Sequence, residues 1–338
     1  MTEYQPHNIL VTGGAGFIGS NYVRHMLTTY SEVNIINLDK LTYAGSIDNL
    51  NDLPGKDRHH FVQGDICDRA LITKLLEQHQ IDSIVHFAAE SHVDRSISGP
   101  SEFIQTNVIG TFVLLEAARE YWQKTNSLDS QKCRFHHIST DEVFGTLALS
   151  DPAFTETTCY APNSPYSASK ASSDHLVRAW HHTYGMPVTT SNCSNNYGPN
   201  QHLEKFIPTV IAACQQQKPI PIYGDGLNIR DWLYVEDHCT GIDAVLRRGK
   251  LGETYNIGGI NEWANIDICR LICDLMDKQH PSGAPHQKLI SFVTDRPGHD
   301  LRYAINTDKI GKDIGWRPRE TFASGIAKTV AMQCLEEA

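Results

Sequence analysis

Tyr166 and Lys170 stand four residues apart in the run Tyr-Ser-Ala-Ser-Lys. On a helix that spacing brings both side chains to one face. An ammonium beside a phenol favours the phenolate and lowers the tyrosine pKa towards the range of a working base. Alone, such a pair is ordinary surface packing. A second group follows the strand Phe135-His136-His137-Ile138, namely Ser139-Thr140-Asp141-Glu142-Val143-Phe144-Gly145. It lies at the carboxyl end of a parallel strand, where open α/β sheets place their active sites. Two adjacent carboxyls there can differ in pKa, one keeping its proton and one ionised, which suits paired acid and base work. A helix N-cap followed by a solvated acid is the plainer reading.

A third group lies near the N-terminus, in Val11-Thr12-Gly13-Gly14-Ala15-Gly16-Phe17-Ile18-Gly19. It falls where a strand ends and a helix begins, the context a dinucleotide-binding turn requires. Glycine permits the tight turn and close backbone approach, and the helix N-terminus receives phosphate. Gly13, Gly14, Gly16 and Gly19 are therefore expected against a pyrophosphate. Asp39 follows Gly19 by twenty residues, at the end of the strand Ile35-Ile36-Asn37-Leu38. A carboxylate there can accept hydrogen bonds from the adenosine ribose, which favours NAD. NADP would set its extra phosphate beside this anion, with Lys40 to soften the repulsion. Asp65, in Gly64-Asp65-Ile66, is expected near the adenine, or else caps a helix. A positive nicotinamide ring in this cleft would lower the Tyr166 pKa further.

The elements that must hold these groups alternate. Short apolar runs at Ile9–Val11, Asn34–Leu38, Ser83–Phe87, Phe135–Ser139 and Val188–Cys193 are separated by helical stretches starting at Ile18, near Leu71, at Ser101 and at Tyr166. That rhythm predicts an α/β fold, a Rossmann-type doubly wound parallel sheet. After Asn196 the pattern becomes less regular, with a helix near Ile207–Gln215. A helix at Val235–Arg247 and a strand at Tyr255–Gly259 then resume the first rhythm. The expected organisation is a dinucleotide-binding domain over residues 1–196, with 235–260 returning to it, and a smaller interleaved α/β substrate-binding lobe over 197–234 and 261–338.

The formal charge of −10, without a Lys/Arg run, offers no footprint for nucleic acid or an anionic membrane. The nine cysteines are odd in number and never spaced as Cys-x-x-Cys, which suits a reducing cytoplasm and argues against a metal site. Cys269 and Cys273 read as core residues on a helix. Polar residues from Met1 to His7 lead straight into the first strand, so neither an export leader nor a membrane span is expected.

The glycine turn, the Tyr-x-x-x-Lys pair and the chain length resemble the extended short-chain dehydrogenase/reductase family. Ser139-Thr140-Asp141-Glu142-Val143 is similar to the active-site signature of its nucleotide-sugar 4,6-dehydratases. Further segments strengthen that likeness, namely Asp39-Lys40-Leu41-Thr42-Tyr43-Ala44-Gly45, Ala88-Ala89-Glu90-Ser91-His92-Val93-Asp94-Arg95-Ser96, Arg230-Asp231-Trp232-Leu233-Tyr234-Val235-Glu236-Asp237-His238, and Asp295-Arg296-Pro297-Gly298-His299-Asp300. Phe144, where tyrosine is usual, and Phe87, where an aliphatic is common, are mild departures. The match spans nearly the whole chain.

The resemblance implies a redox-neutral hydro-lyase with dTDP-glucose as substrate. Tyr166 takes the O4 proton while hydride leaves C4 for NAD, and Thr140 bonds the same oxygen. Glu142 removes the C5 proton, Asp141 protonates the departing C6 hydroxyl, and the resulting enone accepts the same hydride at C6 and a proton at C5. Lys170 also bonds the nicotinamide ribose. NAD is expected to stay tightly held, its contacts being Gly13, Gly16, Phe17, Ile18, Gly19, Asp39, Lys40, Thr42, Asp65, Ile66, Phe87, Ala88, Ala89, Ser91, Thr106, Tyr166, Lys170 and Asn196. The implied substrate contacts are Ser91, Thr140, Asn195, Lys205, Phe206, Pro221, Ile222, Tyr223, Arg230, Asn265, Asp295, Arg296 and His299. Arg230 and Arg296, supported by Lys205, would meet the pyrophosphate, though Arg230 could instead pair with Asp231 or Glu236.

A homodimer through a four-helix bundle, using Ser101–Glu120 and Tyr166–Tyr184, is implied as well. Packing inside one subunit would account for most apolar positions on these helices, among them Phe103, Val108, Phe112, Leu115, Leu176, Val177 and Trp180. A UDP-sugar dehydratase, a 4-epimerase or a decarboxylase would share the cofactor and the Tyr-Lys chemistry, but the last two have no need of the acid pair. A non-catalytic NAD sensor would typically lack the tyrosine or lysine present here. One methyl group separates thymine from uracil, worth only about 1–3 kcal/mol of discrimination.

Overall fold

The computed structural model describes residues 3–125, 128–129, 131–295 and 299–336. Arg296 of the expected substrate set lies outside them. Twelve strands run through the described chain: β1 (Asn8–Thr12), β2 (Asn34–Asp39), β3 (His59–Gln63), β4 (Ser83–His86), β5 (Arg134–Thr140), β6 (Val188–Cys193), β7 (Asn195–Tyr197), β8 (Ile220–Tyr223), β9 (Ile229–Tyr234), β10 (Thr254–Ile257), β11 (Glu262–Ala264) and β12 (Ile290–Val293). Apolar runs such as Ile9-Leu10-Val11 have no wet face to offer, and a parallel sheet covered on both sides accommodates them. Seven strands form it in the order β10-β6-β5-β4-β1-β2-β3, and every pairing is parallel.

One face buries Tyr22, Val23 and Met26 of the helix Phe17–Thr29 with Ile242, Val245 and Leu246 of Val235–Arg248. The other buries Ile72 and Leu75 of Arg69–Gln78, Leu114, Leu115 and Trp122 of Thr111–Thr125, and Val177 of Pro165–Tyr184. The Trp122 indole donates to the Ile81 carbonyl at 2.8 Å. Strand order reverses between β1 and β4, which opens a crevice at their carboxyl ends, the position where such sheets bind ligands.

The smaller lobe combines a three-stranded sheet, β11-β9-β7, with the pair β12-β8. Its core includes Tyr197, Ile211, Trp232, Ile272, Phe322 and Ile326. The chain interleaves the two bodies more than expected. Val235–Arg248 and β10 belong to the larger one, and so does the short helix Asp308–Ile314, whose Ile310 and Ile314 join Trp316 in that core. Residues 308–316 are thus a correction to the expected lobe; one short helix carries too little apolar periodicity to show its destination. Asn195 and Asn196, expected in the first domain, pair with Trp232 and Leu233.

The helix expected from Ser101 to Glu120 is interrupted. Pro100–Phe103 passes into a π-helical segment, Ile104–Gly110, before Thr111–Thr125 resumes the α-helix. Such segments concentrate at functional sites. This one presents Thr106 to the crevice, while Asn107 bonds the Glu90 backbone and Ser169. No helix among the described residues is long and apolar enough to cross a membrane, and no group of side chains among them could hold a metal ion.

Candidate active site

Gly13 adopts φ +73°, and a side chain there would strike the Ala88 amide at 2.6 Å. A Cβ on Gly19 would lie 2.2 Å from the Gly13 carbonyl. These two glycines let the turn close on itself. Gly16 differs, since a Cβ there would meet only the Gly13 and Ala44 carbonyl oxygens at 3.3 and 4.0 Å. Its backbone is open to the crevice, and it begins the helix Phe17–Thr29 with no side-chain cap. The amides of that first turn are the donors a phosphate needs. Gly14 corrects the expectation, because it is pressed against Asn37, whose Oδ1 would lie 2.1 Å from an added Cβ. It packs helix to sheet and does not face the crevice.

Asp39, ending β2, accepts the Ala15 amide at 2.9 Å and the Leu41 amide at 2.8 Å. A carboxylate has about four acceptor positions, so two bonds fix its orientation and leave capacity for a ribose. Lys40 pairs with Asp65 at 2.9 Å. Asp65 also accepts the Cys67 amide at 2.9 Å, whereas Asp68 caps Arg69–Gln78, so the capping alternative for Asp65 does not hold. The open backbone at Gly16, the uncapped helix and the Asp39 carboxylate together fit a dinucleotide. Apart from Gly14, every residue expected to hold NAD, from Gly13 to Asn196, lines one continuous cavity.

The same cavity is lined by Thr140, Asp141, Glu142, Tyr166 and Lys170. Ser164 and Ser167 form a capping box that, with Pro165 in the first turn, starts the helix just before Tyr166. The adjacent β5 ends at Thr140, whose hydroxyl accepts the Glu142 amide at 3.3 Å and so caps the turn Asp141–Phe144. Asp141 is 1% exposed. Burial first, then Glu142 and Asp231, raise its pKa well above the usual carboxylate range, against a smaller opposing effect of Arg230.

The protein's own groups do not supply the lowering expected of the tyrosine pKa with a nicotinamide ring beside it. Burial, followed by Glu142 and Cys193, pushes the Tyr166 phenol above its ordinary value, with a hydrogen bond to Thr140 opposing. Lys170 directs its ammonium to the Ile138 carbonyl at 2.7 Å, and burial lowers its own pKa.

Of the expected substrate contacts, Ser91, Thr140, Asn195 and Lys205 line the cavity. Arg230 is buried, donating to the carbonyls of Ile229 at 2.7 Å and Asp300 at 2.9 Å with its guanidinium 4.2 Å from the centre of the Tyr303 ring. Asp231, offered as its partner, accepts the Gly259 and Asn261 amides. Tyr223, Asp295 and His299 gather in a second group, His299 bonding Asp295 at 2.6 Å and packing edge-on to Tyr223. Pro221 shares the outward face of β8 with Tyr223. Asn265 begins the helix Asn265–Gln279 and donates its amide to Asn228.

Ile222 and Phe206 are corrections. Ile222 points into the lobe core, on the opposite face of its strand from Tyr223, and Phe206 packs on Trp232. Sequence reasoning passed over Glu90, Ser139 and Cys193, which also line the cavity. Glu90 lay inside a recognised segment, whereas Cys193 ends a strand whose neighbours give no local signal.

Fold and cleft together define a dinucleotide-dependent enzyme of the short-chain dehydrogenase/reductase type. The chain belongs to the family described as GDP-mannose 4,6 dehydratase, whose model matches residues 10–329. It is 56% identical over 330 residues to a dTDP-glucose 4,6-dehydratase of Shigella flexneri, covering 95% of this chain and 91% of that protein. The corresponding protein of Xanthomonas campestris pv. campestris strain B100 is 57% identical over 323 residues, with the same coverage of both. A solved dTDP-glucose 4,6-dehydratase of Streptomyces venezuelae, with NAD and TYD bound, superposes with a TM-score of 0.89 at 44% identity, over 98% of each chain.

Proposed function

We propose that the chain is a hydro-lyase that converts dTDP-glucose into dTDP-4-dehydro-6-deoxy-glucose and water, with NAD as its resident cofactor. The observation that carries this reading is the pairing of a buried Asp141, whose pKa burial raises, with Glu142 in the cavity that also holds Tyr166 and Lys170. Oxidation of a hydroxyl needs one base, whereas loss of water also needs a base for C5 and an acid for the C6 oxygen. NAD, when bound, supplies an acceptor for the C4 hydride that is emptied again onto C6 within one turnover.

The chain's own groups move the protons. Tyr166 takes the O4 proton while Thr140 holds the same oxygen. The resulting C4 ketone acidifies C5, and Glu142 removes that proton and returns it to C5 when the hydride reaches C6. Asp141 delivers its proton to the C6 oxygen as water departs. Lys170 shares the buried pocket and offsets the charge left on the phenol. Arg230, with Lys205 at the cavity wall, supplies positive charge towards the nucleotide end of the substrate in an acidic protein. Because the hydride must return to the molecule it left, the cofactor stays bound throughout.

We also propose that the protein works in the cytoplasm as a homodimer. Ile104, Phe112 and Tyr184 are exposed apolar residues on the two helical segments assigned to the bundle, whereas Phe103, Leu115 and Val177 are buried within the subunit.

The decisive experiment supplies dTDP-glucose deuterated at C4 and locates the label. Deuterium at C6 of the product is the expected result. Label retained at C4 of an epimer, or no turnover, would overturn the assignment.

A further inference from the structure

We propose that Asp174 is a positioning residue for this reaction, its carboxylate tying the helix that carries Tyr166 and Lys170 to the strand end that carries Thr140, Asp141 and Glu142. The proposal rests on the roles assigned to those five residues. Asp174 follows Lys170 by one helical turn on the same face of Pro165–Tyr184. It is buried. Its Oδ2 accepts the Ser139 hydroxyl at 2.8 Å and the Tyr160 hydroxyl at 2.9 Å, and its Oδ1 lies 3.1 Å from Nε2 of His137.

Each partner leads to the acid turn. His137 and Ser139 lie two apart on β5, and therefore on one face of the sheet, and Ser139 immediately precedes Thr140. Tyr160 meets the ring of Phe144 edge-on, with centroids 5.3 Å apart, and Phe144 ends the turn Asp141–Phe144. One carboxylate thus grips the acid turn at its start through Ser139 and at its end through Tyr160. Burial holds His137 neutral, its pKa down at about 4, so its ring can serve as a neutral N–H donor. Three partners on one carboxylate make a connected buried network, the kind that rigidifies a core when its members are satisfied.

The charge of Asp174 has a second consequence. Burial works against the Lys170 ammonium, and Asp174 is the foremost influence in its favour, followed by Cys193. The other titratable groups around the lysine are Tyr166 on its own helix, His137 on β5 and His86 on β4, both of which feel its charge. On β6, Cys193 also feels Asp141 and Glu142. Removing the carboxylate charge should let Lys170 lose its proton at lower pH. Asp174 is not among the residues that line the cavity, so it acts through Lys170, Ser139 and Tyr160.

The test compares Asp174→Asn, which removes the charge in nearly the same shape, with Tyr160→Phe, which keeps the charge and removes one donor. Wild-type turnover of dTDP-glucose is the control for the functional reading itself. For Asp174→Asn the expected result is a fall in kcat of tenfold or more with KM within threefold, and a high-pH limb of kcat displaced to lower pH. Tyr160→Phe should lower kcat less and leave that limb in place. Titration of Lys170 by NMR on lysine-labelled protein needs no substrate, and should show a lowered pKa in Asp174→Asn and an unchanged one in Tyr160→Phe. If Asp174→Asn does not fold, Ser139→Ala and Tyr160→Phe combined should still lower kcat tenfold at unchanged KM. An Asp174→Asn protein with kcat within twofold of wild type, or with a Lys170 titration unmoved, would overturn the proposal; so would a double variant with unchanged kcat.

Discussion

Asp141 and Glu142 are consecutive residues in opposed surroundings, the first sealed from solvent and the second partly exposed in the cavity. Thr140 lies between them in function, accepting the Glu142 amide and donating to Asp141 Oδ1, each at 3.3 Å. The other Asp141 oxygen, Oδ2, has no hydrogen-bond partner among the described residues. Keeping a carboxyl from water disfavours its charged form, so one turn of chain sets two carboxyls side by side with different surroundings.

On the roles proposed above, Glu142→Gln removes the C5 base and leaves the first oxidation intact. The variant should lose about 10²–10⁴ in overall kcat while reduced nicotinamide builds up on mixing with substrate. Stopped-flow absorbance checks this, and wild-type turnover would refute the assignment.

Tyr166→Phe should lose a similar factor, roughly 10²–10⁴, but without any build-up of reduced cofactor, because it fails at the first proton. The two variants are distinguished in the same instrument by the presence or absence of that signal.

Asp141 should make activity and stability diverge. Its folded pKa stands above the ordinary 3.8 of an aspartate, so its contribution to stability is full below about pH 3.8 and is lost as pH rises through the raised folded value. Asp141→Asn removes that loss. Its thermal midpoint should exceed that of wild type near pH 8, by about 2 °C for each kcal/mol relieved, with the advantage shrinking on acidification. Activity should fall in the same protein. Calorimetry across pH decides it; a midpoint lower than wild type at pH 8 would contradict the buried-acid assignment.

Gly16→Ala and Gly19→Ala should fail differently. At Gly16 the added carbon meets protein no nearer than 3.3 Å, so the variant folds but binds NAD about tenfold or more weakly, the methyl standing where phosphate must approach. At Gly19 the carbon lies 2.2 Å from the Gly13 carbonyl, and the turn itself cannot form. Circular dichroism and NAD titration calorimetry separate the two. A Gly16→Ala protein with wild-type affinity would show that the phosphates lie elsewhere.

Much of this site was legible from local pattern. The strand–glycine–helix run located the dinucleotide turn, and a four-residue spacing put Tyr166 beside Lys170. Residues whose role depends on strand facing were less legible. Ile222 and Tyr223 are neighbours in sequence, yet one enters the lobe core and the other faces out. Gly14 looked like its companions until Asn37, from the next strand, was found against it.

The sequence by itself determined the parallel sheet, the glycine turn and the two arms of the site, because backbone freedom, apolar periodicity and helical spacing are properties of adjacent residues. Only the tertiary structure decided how those arms behave. The Tyr166 phenol is pushed up by burial and Glu142 where the local Tyr-Lys pattern implied the opposite. Arg230 is held by Asp300 and Tyr303, and Asp174 joins segments that sequence keeps apart. Desolvation and buried hydrogen bonds are set by whatever residues the fold brings in from a distance, and no local pattern encodes them.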